Sequence, residues 1–314
     1  MWLYALQRFG MALLVCVLSV TVLFCIAYVI PGDPTAIALG PRATPAMREA
    51  LRIRMGLGEP IYIQLYHFFS SLLRGDLGVD VWSNRPVIDI VKETLPKTMI
   101  LAVTGLGWAA ALGIPLGCYS AIRRNKLDDR IIGIFSIAMI STPSFLTAIY
   151  ALLVFAVTLN WLPAIGAGEP GNFGDQVVHL ILPAFAIGFA WVGYLSRLVR
   201  ATMLEVLNET HIRFSRAFGL PEWKITLKYA LKIAVLPTIT LLGMAYGGLL
   251  SSAVFAEIIF NRPGVGQSAL AAVNTRNYPV MMGLTLSTIF VFTMCTLIAD
   301  LLVAALDPKI RKGL

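Results

Sequence analysis

Any chemistry in this sequence has to come from a small set of residues. The three histidines, His67, His179 and His211, lie far apart and offer no local ligand spacing. The four cysteines, Cys16, Cys25, Cys118 and Cys295, form no Cys-x-x-Cys pair and stand beside no histidine. They read as small, polarizable packing residues rather than as metal or disulfide partners. No Gly-x-x-x-x-Gly-Lys-Ser/Thr loop is present to cradle nucleotide phosphates, and neither His-Glu-x-x-His nor Gly-x-Ser-x-Gly occurs. An intramembrane protease would have to draw its pair from His179 and Ser251 or Ser252, which no motif surrounds. Polar contact between helices explains these residues more simply. The chain is therefore not read as an enzyme. Tyr246, Ser251, Ser252 and Glu257, in or just beyond one apolar run, are kept as candidate lining of a pathway.

The elements that position these residues are set by hydropathy. The 314 residues are 58% apolar and 13% charged, against roughly 25% charged in soluble domains. Six runs are apolar and nearly charge-free: Phe9–Ile30, Thr98–Ala121, Ile131–Thr158, Val177–Ser196, Ile233–Ala256 and Pro279–Leu306, the last interrupted by Asp300. Each is long enough to cross a ~30 Å hydrocarbon core as a helix, and a transmembrane barrel would instead need short alternating segments. The first run exceeds the roughly 7–15 apolar residues of a signal-peptide core and precedes no small-x-small site, so it is expected to be retained. Pro31-Gly-Asp-Pro34 ends it.

Basic residues orient the bundle. Arg123, Arg124, Lys126 and Arg130 sit between runs two and three, and seven Lys or Arg lie in 197–232. The connection 159–176 has none. Both termini are expected in the cytoplasm, and the net charge of +8 needs no nucleic acid to explain it. Asp300 lies near the cytoplasmic end of the last run, where pairing with a basic residue is expected. No carboxylate stands at mid-membrane, which argues against an ion-coupled secondary transporter. In the long external segment 31–97, Pro45–Met55 reads as a short helix, Ile61–Leu73 as an interfacial one and Gly75-Asp-Leu-Gly78 as a turn. Pro115, Pro143, Pro183 and Pro237 are expected as tolerated kinks, and Gly243-x-x-x-Gly247 reads equally as a close-packing face or as lining of a pathway.

The connection between runs four and five is the most informative. Read as a helix from Arg200 onward, with its exposed handle at 205–218, it sets Met203, Leu207 and His211 on one face and Ile212, Ser215 and Phe218 on another. Gly219-Leu-Pro221 stops it, with glycine where a C-terminal cap takes left-handed backbone. A stiff amphipathic helix and turn of this kind suits a partner's groove.

Arg213-Phe-Ser-Arg-Ala-Phe-Gly219, with Leu236-Pro237 beyond it, resembles the coupling-helix signature of binding-protein-dependent ABC importer permeases of the dipeptide, oligopeptide and nickel family. The resemblance extends in order through Ile30-Pro-Gly-Asp-Pro34, Leu57-Gly-Glu-Pro60, Gly75-Asp-Leu-Gly78, Ser141-Thr-Pro143-Ser-Phe145, Trp161-Leu-Pro163, His179-Leu-Ile-Leu-Pro183, Glu257-Ile-Ile-Phe260, Pro263-Gly-Val-Gly266, Arg276-Asn-Tyr-Pro279 and Asp307-Pro-Lys-Ile-Arg311. It departs where Arg213-Phe214-Ser215 replaces the family's Glu-Ala-Ala, where Asn277 replaces an acid, at Gly58, and in the short 159–176.

The resemblance implies an all-α, six-span, type I ABC importer permease fold in the bacterial inner membrane. It divides the chain into an N-terminal span and external segment (1–93), a five-span permease core (94–306) and a cytoplasmic tail (307–314). The implied partners are a second homologous permease, two cytoplasmic ATPases that bind ATP and Mg, an external substrate-binding protein and the lipid bilayer. This chain would hold no cofactor or metal of its own. Glu205, Glu209, Arg213, Ser215, Arg216, Ala217 and Gly219 would form the ATPase-coupling helix. The implied cargo is a peptide, with nickel or another metal complex, glutathione and opines as alternatives.

Overall fold

The computed structural model describes residues 2–29, 44–54 and 59–306. The expected breaker at 31–34, Leu57-Gly58, the tail 307–314 and the side chain of Asp300 lie outside what is described. The helices are α1 (Trp2–Val29), α2 (Pro45–Arg54), α3 (Ile61–Leu73), α4 (Val87–Ile122), α5 (Leu127–Ser141), α6 (144–158), α7 (Phe173–Leu207), α8 (Thr210–Ala217), α9 (222–234), α10 (Leu236–Ile259), α11 (Val265–Asn274) and α12 (Tyr278–Leu306). Among the described residues β pairing is confined to one antiparallel bridge, Val79 with Pro86.

Five of these helices, α1, α4, α7, α10 and α12, are long and apolar enough to cross a membrane. The third apolar run behaves differently. It divides into α5 and α6, which meet at an angle of 100°. Pro143 is the cause, and here the expectation of a mere kink gives way to a break. Proline donates no N–H and forces the residue before it out of helical backbone. Thr142 is accordingly extended, with φ −90° and ψ 117°, and Pro143 caps the new helix. Leu152–Thr158 then widens into a π-turn, with the Leu159 N–H reaching the Val154 carbonyl five residues back. The other prolines break nothing: Pro183 lies inside α7, Pro115 inside α4, and Pro237 in the first turn of α10.

The chain forms two compact units. The first is Met99–Arg262 with the described parts of the chain ends. Lipid tails are as apolar as leucine, so helices there associate through close packing and polar contact. Glycines of α4 supply the closeness. A Cβ on Gly105 would meet the Ile187 side chain at 2.6 Å, and one on Gly113 would meet Leu195 Cβ at 2.8 Å. One on Gly117 would collide with the Ser196 carbonyl. Facing them, Gly188 of α7 lies against Gly105 and the Trp108 ring. Trp108 Nε1 donates to the Ala184 carbonyl at 2.7 Å and its ring stacks on Phe185. Of the two readings of Gly243-x-x-x-Gly247, packing holds at Gly243, which lies tight against Ala299 of α12.

One charge cluster joins α4, α5 and α7. Asp129, 5% exposed, accepts two hydrogen bonds from the Arg200 guanidinium, Nε to Oδ1 at 2.6 Å and Nη2 to Oδ2 at 2.7 Å. Ser120 Oγ and the Asn125 N–H donate to the same carboxylate. A bidentate, fully bonded buried carboxylate is the arrangement in which an ion pair offsets its desolvation.

The second unit is Leu6–Thr98 with Pro263–Met294. Val87 and Val91 pack on Val265, Ala272, Val280 and Leu284. The Val265 N–H donates to Thr98 Oγ1 at 2.9 Å. The expected 75–78 turn forms, with Gly75 at φ +78°, Gly78 at φ +85° and the Gly78 N–H on Asp76 Oδ1. The buried Asn277 amide donates to Asp80 Oδ1 at 2.5 Å, and Ser83 Oγ and the Trp82 N–H also donate to that carboxylate. The structure thus gives Asn277 a reason: an acid there would face Asp80 directly. Burial alone would raise the Asp80 pKa, but its hydrogen bonds from Ser83, Trp82 and Asn277 outweigh that and hold it below the ordinary value.

Two predictions follow from these ties. Asp129→Asn leaves the Arg200 charge without its carboxylate; Arg200 is one-third exposed, so the cost should fall at about 3 kcal/mol, the low end for a broken buried pair. Thermal unfolding of the detergent-solubilised chain measures it, and an unchanged midpoint would deny the pair any structural role. For Asp80, a depressed pKa means the tie is at full strength above the ordinary aspartate value of about 4 and is lost only as pH falls below it. Hydrogen-exchange protection over 76–86, taken relative to the intrinsic rate at each pH, should therefore be flat from pH 7 to 5. In Asn277→Asp two carboxylates repel at neutral pH, so protection should instead be greater at pH 5 than at pH 7.

Candidate coupling surface and pathway face

The segment expected as a single helix over 205–218 is two helices. α7 continues to Leu207, and Asn208 closes it by donating Nδ2 to the Leu204 carbonyl at 2.8 Å. Glu209 is extended (ψ 154°), and α8 begins at Thr210. The side chain of Asn208 competes for the backbone that would have carried the helix on, as asparagine does at helix ends. This break explains why Met203 is wholly buried, Leu207 half-buried and His211 exposed, where continuous helix would have aligned them. His211 Nδ1 instead lies 3.0 Å from Glu209.

α8 is held from beneath by one side chain. Ile212, 0% exposed, inserts among Cys118, Met203, Val206, Ile225 and Ala230. With Ile212 inward, Arg213, Phe214, Arg216, Ala217 and Phe218 face out, and Ser215 is half-buried with Oγ on the His211 carbonyl. Phe214 and Phe218 are 60% and 83% exposed, and Trp223 at the start of α9 is 68% exposed. The expected grouping of Ile212 with Phe218 is not what forms, because α8 ends at Ala217 and Phe218 occupies its C-cap. The aromatic pair Phe214 and Phe218 was not singled out from sequence, although its four-residue spacing carries the signal.

The stop signal is realised as expected. Gly219 has φ +73°, its N–H reaches the Arg216 carbonyl, and the Leu220 N–H reaches the Ser215 carbonyl. The pair Arg216–Glu222 (2.8 and 3.3 Å) clasps the turn. Behind it, Thr202 Oγ1 donates to the Ala234 carbonyl at 2.9 Å, tying α9 to α7. Glu205, in the last turn of α7, and Glu209, at the N-cap of α8, are both exposed. The seven expected coupling residues therefore follow one another along one segment, Glu205 in α7, Glu209 at the junction, Arg213, Ser215, Arg216 and Ala217 in α8, and Gly219 just beyond it.

The four pathway candidates separate on α10. Tyr246 and Glu257, eleven residues apart, share a buried face; Glu257 is 0% exposed. Ser251 lies on the opposite, exposed stripe with Met244, Gly248, Phe255 and Ile258, and Ser252 is half-buried with Oγ on its own helix's Gly248 carbonyl. Beyond the helix, Arg262 is 6% exposed and its backbone N–H reaches the Glu257 carbonyl at 2.8 Å. Burial pushes the Arg262 pKa down, and the Glu257 charge pulls it back up. The protease alternative gains no dyad: His179 Nδ1 engages Asp175 on its own helix at 3.2 Å, and Ser252 is turned to its own backbone. Among the described residues no group of three or more His, Cys, Asp or Glu could hold a metal ion.

Comparisons with known proteins bear on this geometry. The family described as "Binding-protein-dependent transport system inner membrane component" matches residues 113–312, and its N-terminal companion, "Binding-prot-dependent transport system membrane comp, N-term", matches 1–102. The probable D,D-dipeptide transport system permease protein DdpB of Escherichia coli K12 is 36% identical over 99% of this chain and 98% of its own length. The glutathione transport system permease protein GsiC of the same strain is 34% identical over 98% of each. Among solved structures, the inward-facing MetNI methionine ABC transporter matches at TM-score 0.56 over 69% of this chain and 96% of the matched chain; at 16% identity it speaks for the fold alone. With broken third span, capped α8 and full-length relatives in agreement, the chain belongs to the binding-protein-dependent transport system inner membrane components, the permease subunits of ABC importers.

Proposed function

We propose that this chain forms half of the translocation pore of an ATP-driven peptide importer and takes its drive from cytoplasmic ATPases through α8. The observation that carries the reading is the contrast between Ile212, wholly buried, and Phe214 and Phe218, exposed on the same short helix and at its C-cap. A surface anchored from inside and aromatic outside is built to be gripped. Two related permeases named for a D,D-dipeptide and for glutathione support a peptide or peptide-like cargo.

The assembly proposed around it is a second homologous permease, two ATPases carrying ATP and Mg, and an external substrate-binding protein, with both termini of this chain cytoplasmic. The chain itself contributes no catalytic group or cofactor. Motion of the ATPases on binding ATP reaches the spans as a rigid-body shift of α8 and α9. The Arg216–Glu222 clasp and the Thr202–Ala234 bond stiffen that path. The division at 1–93, 94–306 and 307–314 is retained as a proposal, supported by family matches that meet between 102 and 113. Of the pathway candidates, Ser251 is assigned to the pore or its partner-facing wall, and Tyr246 and Glu257 to the support behind it.

Gly219 separates coupling from folding. A Cβ there meets nothing within 4 Å, so an alanine methyl clashes with no part of this chain. Only the positive φ is penalised, by roughly 1–2 kcal/mol. Gly219→Ala should lower the melting temperature slightly and keep uptake, whereas Gly219→Trp should abolish substrate-stimulated ATP hydrolysis in reconstituted vesicles without further loss of stability. Phe218→Ala should weaken ATPase attachment by roughly 30-fold, as removal of a buried aromatic anchor does. Full coupling in Gly219→Trp and Phe218→Ala alike would sink the α8 assignment. Uptake driven by an ion gradient with no ATPase present would sink the importer reading itself.

The stripe on α10 is tested by cysteine access. Ser251→Cys in the assembled importer should react with a water-soluble thiol reagent and be slowed by transported peptide, while Ala253→Cys, at a wholly buried position, should not react. Equal rates at the two positions would remove Ser251 from the pathway.

A further inference from the structure

A concavity of about 430 Å³ lies between α5 and α7, beside the Asp129–Arg200 pair and away from both α8 and the α10 stripe. Arg130 and Gly133 with Ile137 line it from one face of α5, and Arg197 with Arg200 from one face of α7. The two faces follow the three- and four-residue spacing that brings side chains together on helices. Their heights relative to a bilayer can be read from the sequence. Arg130 is the last charge before the apolar run of α5, and Arg197 the first charge after that of α7. Both guanidinium groups therefore stand at the border of the hydrocarbon, where lipid headgroups lie.

The charge of the groove is unbalanced. Arg200 is spent on Asp129, whose carboxylate is satisfied by it together with Ser120 and Asn125. Arg130 and Arg197 are exposed and take part in none of the side-chain hydrogen bonds or ion pairs among the described residues. Two positive charges are thus left over at one mouth. Going inward the walls become apolar: Gly133 is open, with nothing within 4 Å of a Cβ placed there, and Ile137 is 52% exposed beside it. A cationic mouth above an apolar, side-open trough matches a molecule with an anionic head and a hydrocarbon tail.

We propose that this groove is a binding site for one anionic phospholipid, its phosphate between Arg130 and Arg197 and an acyl chain laid along Gly133 and Ile137. Basic recesses between membrane helices hold such headgroups through charge-assisted hydrogen bonds. Lipid seated there would bridge α5 to α7 next to the Asp129–Arg200 pair, bracing the arm that Pro143 separates from α6. The site goes beyond the importer reading and does not depend on which leaflet it faces.

The test uses the assembled transporter, this chain with its permease and ATPase partners, released from mixed phosphatidylglycerol and phosphatidylcholine vesicles and weighed by native mass spectrometry. One phosphatidylglycerol should be retained per copy of this chain, in preference to phosphatidylcholine. The double substitution Arg130→Gln, Arg197→Gln should lower retention roughly tenfold, and the corresponding lysine pair should restore most of it. Gly133→Leu keeps both charges, fills open space and should also expel the lipid. Equal retention of the two lipids, or retention unchanged in both variants, would overturn the site. Displacement by inorganic phosphate alone would mark a free-anion site instead, and loss of a protein partner from the glutamine pair would mark the groove as a protein interface; either result rejects the lipid.

Discussion

Apolar side chains gain nothing by leaving lipid for one another, and the fold depends on how its helices answer that constraint. Burial of leucine, which organises a soluble core, is nearly neutral here. What remains is contact at short range and polar bonds that hydrocarbon cannot replace. The α4–α7 pair shows both. Gly105, Gly113, Gly117 and Gly188 remove the side chains that would hold the helices apart, to the point that a single methyl at Gly117 would strike the Ser196 backbone. At one end of the same pair, Asp129 collects Arg200, Ser120 and Asn125. Close packing fixes the distance between the helices; the charge cluster adds α5 to the pair and fixes its register.

From that base the outward-facing parts can be rigid without a large core of their own. α8 has only eight residues, too few to be stable alone. It is ordered because Ile212 enters a pocket whose walls belong to α4, α7 and α9. Its exposed aromatics are therefore presented by two of the spanning helices, α4 and α7, together with α9. Force applied to Phe214 or Phe218 passes into α7 and α9 through packed side chains and the Thr202–Ala234 bond, not through a loop.

Much of this was legible in the sequence, and where it was not the reasons are local. The apolar runs located the spans because charge is excluded from them so strongly. Gly219 was readable because a positive φ followed by Leu-Pro leaves few alternatives. The bend at Pro143 was not, since a proline in a membrane helix is usually accommodated, and Pro183 in α7 is the counterexample within this same chain. What separates them is invisible to a hydropathy window: Thr142 adopts extended backbone and Pro143 begins a new helix. The break at Asn208 was missed for a related reason, because helical periodicity continues through it and only the Asn208–Leu204 hydrogen bond diverts the chain. Asn277 appeared as a mere departure from the family until its partner Asp80, 197 residues away, was in place.

The stripe on α10 could not be read from amphipathicity, because α10 is apolar nearly all round and no face stands out. Its meaning comes from comparison with other exposed faces of the same chain. On α5 the outward residues are Ile131, Ile134 and Phe135, large and apolar, as a lipid-facing surface should be. On α10 the outward residues include Gly248 and Ser251 between Met244 and Phe255. Gly248 offers no side chain to pack against a lipid tail, a Cβ there lying already at 3.4 Å from the Trp191 ring, and a serine hydroxyl toward lipid finds no partner beyond its own helix. A face with both is better matched by a second helix at close range or by water. The buried side of the same helix carries Tyr246 and Glu257, so polar groups stand behind the stripe as well as in it. A permease subunit proposed as half of a pore would need one such face, unlike the surfaces it turns to lipid, and the α10 stripe is the face proposed for it.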